Sequence, residues 1–281
     1  MPAPQASMMK NLAKLQFSSF ALKVPTDWKQ PQGDPQGKQY GDAFQPSEKA
    51  TAPATAAPPL FQPASMNKYH TDTQKKLTEQ FGSFIDGICT AICSAWGNWQ
   101  SMASMAGIIV NAVTATGGQV VGPPLMPLIL AEAPKDGPSA LKYSNAVASV
   151  IGTAWLTYTA SIKIPGLPFY PAFAAFPSPV APPTPNVPVP LAALTQVAVS
   201  VSKMALKGQM IGQLGDPMAP FHKELFDSIA DAFDKCFQLW QGTTMVTNVL
   251  GTGPVPTFAP PYVPVGPVMG GVGTMPPGGF K

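Results

Sequence analysis

Few side chains in this chain of 281 residues have the chemistry of a reactive site. Cys89 and Cys93 stand four apart, a spacing that puts both on one helical face where they could share a soft metal ion. No second Cys pair and no matching His pair completes a zinc set, and both cysteines adjoin an apolar stripe, so core packing is the better reading. The two histidines, His70 and His222, fall at the starts of expected helices and read as surface or terminal residues. Asp227, Asp231 and Asp234 follow helical spacing and could present oxygens to a hard cation, but acids early in a helix more commonly answer its dipole. Gly251-Thr252-Gly253 is followed by Pro rather than by a helix, which places its backbone poorly for cradling phosphate. There is no Gly-x-Ser-x-Gly elbow and no Gly-rich loop running into Lys-Ser/Thr. With two His and no Arg, most acid–base and phosphoryl-transfer designs lack their usual parts. The expectation is a chain that is not an enzyme, with no catalytic, cofactor-binding or metal-binding residues and no cofactor.

The elements that would carry those residues announce themselves by composition. Charged residues make up 11% and prolines number 35, against typical shares of roughly 25% and about 5%. A free-standing domain covers itself with ionic side chains; here there are too few, so other protein is expected to cover much of the surface. The stretches Gly87 to Ala131, Ile164 to Ser202 and Cys236 to Phe280 carry no charge at all. Each is broken by Gly or Pro within the roughly 20 residues a membrane span needs, so no span is expected. All 17 basic residues are Lys, and without the Arg fork sequence-specific nucleic-acid binding is disfavoured. Three cysteines and no signal-peptide pattern point to reduced, buried thiols in a protein assembled in the cytoplasm.

Along the chain, residues 1–65 read as an extended N-terminal arm, with Leu12, Leu15, Phe17, Phe20 and Leu22 as an anchor within it. Residues 66–249 read as a helical domain with a Pro-rich insertion at 164–190, and 250–281 as a Pro/Gly-rich C-terminal arm. Helices are expected over 71–105, 138–162, 191–214 and 220–249, the second opened by Pro138 at its first turn.

Three of these helices repeat one pattern, with steps of three, four, eight and eleven residues along one stripe. The copies are Ile88, Ala91, Ile92, Trp96, Trp99; Val147, Val150, Ile151, Trp155, Tyr158; and Ile229, Ala232, Phe233, Phe237, Trp240. Asp86 and Gln100 recur as Asp227 and Gln241. Each copy leads into an uncharged Gly/Pro-rich segment, so the repeating theme is a helix followed by an extended arm. Trp96, Trp99, Trp155, Tyr158, Phe237 and Trp240 are the expected core residues. Prolines recur at every third position, as at Pro179, Pro182, Pro185 and Pro188, the period of polyproline II. Phe169, Tyr170, Phe173, Phe176, Phe258 and Tyr262 would be the partner contacts of such arms.

The runs Ile164 to Pro190, Gly208 to Asp216 and Thr257 to Gly271 resemble, in style, the uncharged Pro-rich structural proteins of phage tails and phage-tail-like contractile injection particles. The resemblance spans about residues 70 to 281 and rests on no motif-by-motif match. It implies a virion or tail-like particle component present in several copies, whose partners are copies of itself and other particle proteins. The fold expected is mainly α, a helical core with Pro-rich arms and little or no regular β-sheet. The function expected is a non-catalytic structural subunit; a cargo or effector protein of such a particle, acting at membranes, is the alternative.

Overall fold

The computed structural model describes residues 3–20, 58–168, 179–256, 258–259, 263–264 and 266–281; the side chains of 58–75, 77, 138, 258–259 and 263–264 lie outside that description. The chain divides into two compact units, Met1–Phe17 with Ile85–Lys281, and Ser18–Phe84. The second contributes the N-terminal part of one long helix. Everything below concerns the first.

That unit is a mixed α/β fold, which corrects the expectation of a mainly helical chain nearly free of sheet. Helix α1 (Ala6–Ser19) precedes the long α2 (Pro58–Met102), which runs into strands β1 (Ser104–Asn111) and β2 (Thr114–Val121). The order then repeats. Helix α3 (Leu125–Glu132) precedes α4 (Pro138–Ser161), followed by β3 (Ile164–Pro168), β4 (Val180–Pro185) and β5 (Val189–Pro190). It repeats again with α5 (Lys203–Leu214), α6 (His222–Thr243), β6 (Met245–Val246), β7 (Leu250–Pro254), β8 (Phe258–Ala259), β9 (Val263–Pro264) and β10 (Gly271–Met275). Short helix, long helix, strand pair: three copies of one unit.

The three long helices meet along the repeated stripe. Ile88, Val147 and Ile229, one per copy, are buried to 0% exposure, and the matching Trp96, Trp155 and Phe237 lie at ring centroid distances of 4.8, 6.4 and 6.3 Å from one another. Each short helix fills a groove between two long ones. From α1, Lys14 pairs with Asp86 of α2, Met9 Sδ lies 3.8 Å from Cys93 Sγ, and Gln16 donates to Asp227 of α6. From α3, Glu132 accepts from Ser94 of α2 while Met126 packs on Gly152 of α4. Helix α5 packs on α4 and α6. The stretch 6–19, expected as part of an extended arm, is therefore helical, because its Met9, Ala13 and Phe17 have a groove of this same chain to enter.

The three uncharged segments after the long helices are not free arms. They form one antiparallel six-stranded sheet in the order β3-β2-β1-β10-β7-β4. The order is cyclic: the second strand of each unit pairs with the first strand of the next. Registers match as well. Ile109 opposes Val272, Pro168 opposes Thr114, and Leu250 opposes Pro185, and these are the same positions in the three units. The irregularity between Met105 and Ile108 recurs between their counterparts, where Leu167 opposes Ala115 and Ile164 opposes Gly117. Gly107 and its counterpart Asn248 both take left-handed backbone, φ 72° and 64°, a conformation that Gly and Asn tolerate best. The outer strands then come round to each other, since Val187 N–H donates to the Pro168 carbonyl at 3.0 Å. The sheet thus curls toward a six-stranded barrel with a pseudo-threefold axis, its two outer strands joined, among the described residues, by this backbone bond.

Alternation explains why these segments pair. Met105, Ile108 and Val110 are buried while Ile109 is exposed, the period-two pattern of a strand with one core face. The counterparts of Ile108, Leu167 and Val249, are buried as well. Prolines concentrate in β4, where pairing with β7 slips between Ala181 and Thr184, so that Pro182 and Pro183 need donate no ladder hydrogen bond. Gly253 and Gly271 let strands approach closely: a Cβ on Gly253 would collide with the Gly271 Cα.

Helix bounds also differ from expectation: α2 begins at Pro58, inside the stretch 1–65 expected as an extended arm, and ends at Met102 rather than near 105. Over 191–214 only Lys203–Leu214 is α-helical, because Thr195 is held by two backbone bonds to Lys163 and the chain on either side of Thr195 turns as short 3-10 segments. Helix α6 stops at Thr243 rather than near 249, since Met245 exchanges backbone bonds with Lys281 in both directions.

Candidate docking interface

The aromatic core sits where the helical half meets the barrel. Trp155 lies 4.9 Å from Trp99 and 5.5 Å from Trp240, and Tyr158 lies 4.8 Å from Phe237, mostly edge-on, as ring quadrupoles prefer. The structure thus brings Trp96, Trp99, Trp155, Tyr158, Phe237 and Trp240 into one buried cluster. Gln100 serves one of its indoles, its Oε1 accepting from Trp240 Nε1 at 2.9 Å and its Nε2 donating to the Phe280 carbonyl at 3.1 Å, whereas Trp96 Nε1 and Trp155 Nε1 are buried without a hydrogen-bond partner. Phe280 in turn stacks on Trp99 at 5.8 Å. In this way the residues after β10 are fastened to the end of α2.

The side chains with chemical potential are spent on structure. Cys89, Cys93 and Cys236 are free and buried. Burial pushes the Cys93 thiol up to about 12 and the Cys236 thiol up to about 11, and Cys89 is raised further by burial and by its cysteine neighbours. Thiolate, the reactive form, is scarce in all three. Asp227 takes Lys203 at 2.9 Å and Lys207 at 2.7 Å, and Asp231 takes Lys203 at 3.1 Å and Lys235 at 2.6 Å. Burial alone would raise these carboxyls; the lysine hydrogen bonds and charges outweigh it and hold both below the ordinary carboxylate range. Asp234 accepts from the Lys203 backbone N–H and from Gln238. His222, expected near the surface, is buried at the start of α6, its Nδ1 2.6 Å from the Ala219 carbonyl. The His70 side chain lies outside the described residues.

What remains conspicuous is the barrel's outer face. Between 85 and 281, every Lys, Asp and Glu lies on or between the helices except Lys163, which precedes β3 and donates its ammonium to the Gly118 carbonyl of β2, and Lys281. The six strands carry none. Across four neighbouring strands, Thr116, Ile109, Val272 and Thr252 stand in one register row; Ile109 is 51% exposed and Val272 61%. Val121, Val180 and the turn residue Val113 are exposed as well. The sequence contained the signal for this face in the alternation of Ile, Val and Thr over 104–121, which an expectation of extended arms passed over. Of the expected partner contacts, Phe169, Tyr170, Phe173, Phe176 and Tyr262 lie outside the described residues, and Phe258 is placed only as backbone, in β8.

Among the described residues, no helix is long and apolar enough to cross a membrane, and no group of three His, Cys, Asp or Glu is arranged to hold a metal. No protein-family model matches this chain, nor does any curated protein or solved structure.

Proposed function

We propose that this chain is a non-catalytic structural subunit of a multi-subunit particle, a virion or a tail-like assembly, built in the cytoplasm and held there through its uncharged barrel. The observation that carries the reading is the partition of charge: one half of the unit is solvated by lysines and carboxylates, and the other presents exposed Ile109, Val121, Val180 and Val272 with no ionic side chain on any strand. A protein surface left without charge favours association over solution. The reactive groups support the same reading, since the thiols are buried and the aspartates are neutralised within the fold. A strand needs about 9–11 tilted residues to span a bilayer, and these strands have five to eight, which favours protein over lipid as the covering material.

The test is sedimentation of the native complex. The chain is expected to travel with a particle far larger than 29.4 kDa and to self-associate when isolated. A native chain found only as a stable, soluble monomer would overturn the proposal.

A further inference from the structure

We infer that α1 is exchanged between copies of this chain, each subunit seating its Ala6–Ser19 helix in the groove between α2 and α6 of a neighbouring copy. The inference rests on the structural-subunit reading and names the contact that laces one copy to the next. What fills this groove is seen in the structure; the inference concerns which chain supplies it. Helix α1 buries Met9, Ala13 and Phe17, and its contacts reach both walls. Ala3 lies against Gly97 and Lys14 pairs with Asp86, so the helix runs antiparallel to α2, while Gln16 donates to Asp227 of α6. A helix held by such side-chain contacts makes the same contacts whichever chain it belongs to. Left empty, the groove would uncover the buried Cys93 beside Met9, so every copy has to hold an α1, its own or a neighbour's.

The length of the connection separates α1 from its two counterparts. Five residues, 133–137, join α3 to α4, and seven, 215–221, join α5 to α6. Connections that short reach at most roughly 20–30 Å and tie each short helix to the long helix it precedes. Helix α3 runs antiparallel to its own long helix, with Met126 against Gly152 and the Pro134 carbonyl accepting from Ser144, and five residues suffice for that turn. The first unit departs from this plan. The residue of α2 equivalent to Pro138, where α4 begins, is Glu79, yet α1 ends at Ser19. Residues 20–78 therefore stand where the other units have five or seven, and a connection as long as 20–57 alone reaches up to about 130 Å. A domain of this size is on the order of 40 Å across, so a neighbour's groove lies within reach. Exchange of an identical element is a low-cost route to association, since it trades each contact for the same contact. In a particle whose copies adjoin, it keeps every groove filled and links every copy.

The experiment uses two full-length chains produced together in the native cells, one carrying Met9→Cys with Cys93→Ala and the other unaltered. Met9 Sδ lies 3.8 Å from Cys93 Sγ, so the introduced thiol meets the Cys93 thiol of whichever unaltered chain holds the helix. The native particle is oxidised mildly with copper phenanthroline in air, and mass spectrometry identifies the disulfide-linked peptides. Lys14→Cys in one chain and Asp86→Cys in the other repeat the reading farther along the helix. The expected result is a link between the two kinds of chain at both pairs, in a share set by their mixing ratio. No link between chains at either pair, in a chain that sediments with the particle, would overturn the exchange and leave the structural-subunit reading standing. No link between chains, in a chain that sediments only as a monomer, would overturn both.

Discussion

In the helical half, three long helices turn Trp96, Trp155 and Phe237 onto one another, and the buried Asp227 of one of them pairs with Lys203 and Lys207 of a short helix. In the barrel, continuations of the same three segments hold together through backbone ladders and close glycine contacts, and no strand carries an ionic side chain. The first half gains its stability from buried aromatic area and is finished toward water. The second is held by strand ladders and exposes uncharged side chains. One repeated unit thus yields an end that carries ionic side chains and an end whose strands carry none. The difference lies in which side chains face outward, since the pseudo-threefold plan is common to both.

The harshest way to break the comparison is to remove its shared anchor. Trp155→Ala takes away a ring that touches Trp96, Trp99, Tyr158 and Trp240, and a large-to-small change of this kind costs about 3–5 kcal/mol. Chemical denaturation should show helices and sheet lost together at a lower midpoint; loss of one half alone would show that the halves fold separately. Next in size, Gly253→Ala forces a methyl onto the Gly271 backbone and is expected to cost about 1–3 kcal/mol. Gly166→Ala meets open space and should be nearly silent. Amide exchange over β7 and β10 would separate the two variants. Gln100→Ala leaves the buried Trp240 indole N–H without its acceptor, a loss of about 1–3 kcal/mol, visible in the same unfolding experiment.

The groups behind an acid response lie in the helical half. Asp227 and Asp231 titrate below their ordinary range in the folded chain, so their contribution is fully present above the unfolded-state value of about 4 and is lost as pH falls through the lower folded value. Urea titrations at neutral pH and at pH 3 should show this loss, and Asp227→Asn should reduce the difference between them. An unchanged difference in that variant would mean that these ion pairs are not its source.

The helical half was legible in the sequence because its signal is local. The step from Ile88 to Trp96 to Trp99, recurring at Val147 and Ile229, marks one stripe per helix, and the stripes could only face one another. The barrel was not, although its period-two alternation was present over 104–121. Prolines at every third position in 179–188 point to polyproline II, and strand pairing between distant segments leaves no local mark. Pro182 and Pro183 fit because β4 slips past β7 at that point, a fact of register that no single segment contains. The N-terminal helix was missed for a related reason: residues 6–19 gain a buried face only from the groove between α2 and α6.

The most direct test of the covered barrel is thiol accessibility, and the chain is well suited to it because its three cysteines are buried. A single reporter is placed at Val272→Cys on the barrel, or at Met204→Cys on the helical half, where Met204 is 86% exposed. Each is exposed to a membrane-impermeant maleimide in the isolated chain and in the native particle. Both should react in the isolated chain, and only the Val272→Cys reporter should be protected in the particle. Equal labelling of the two reporters in the particle would contradict a covered barrel.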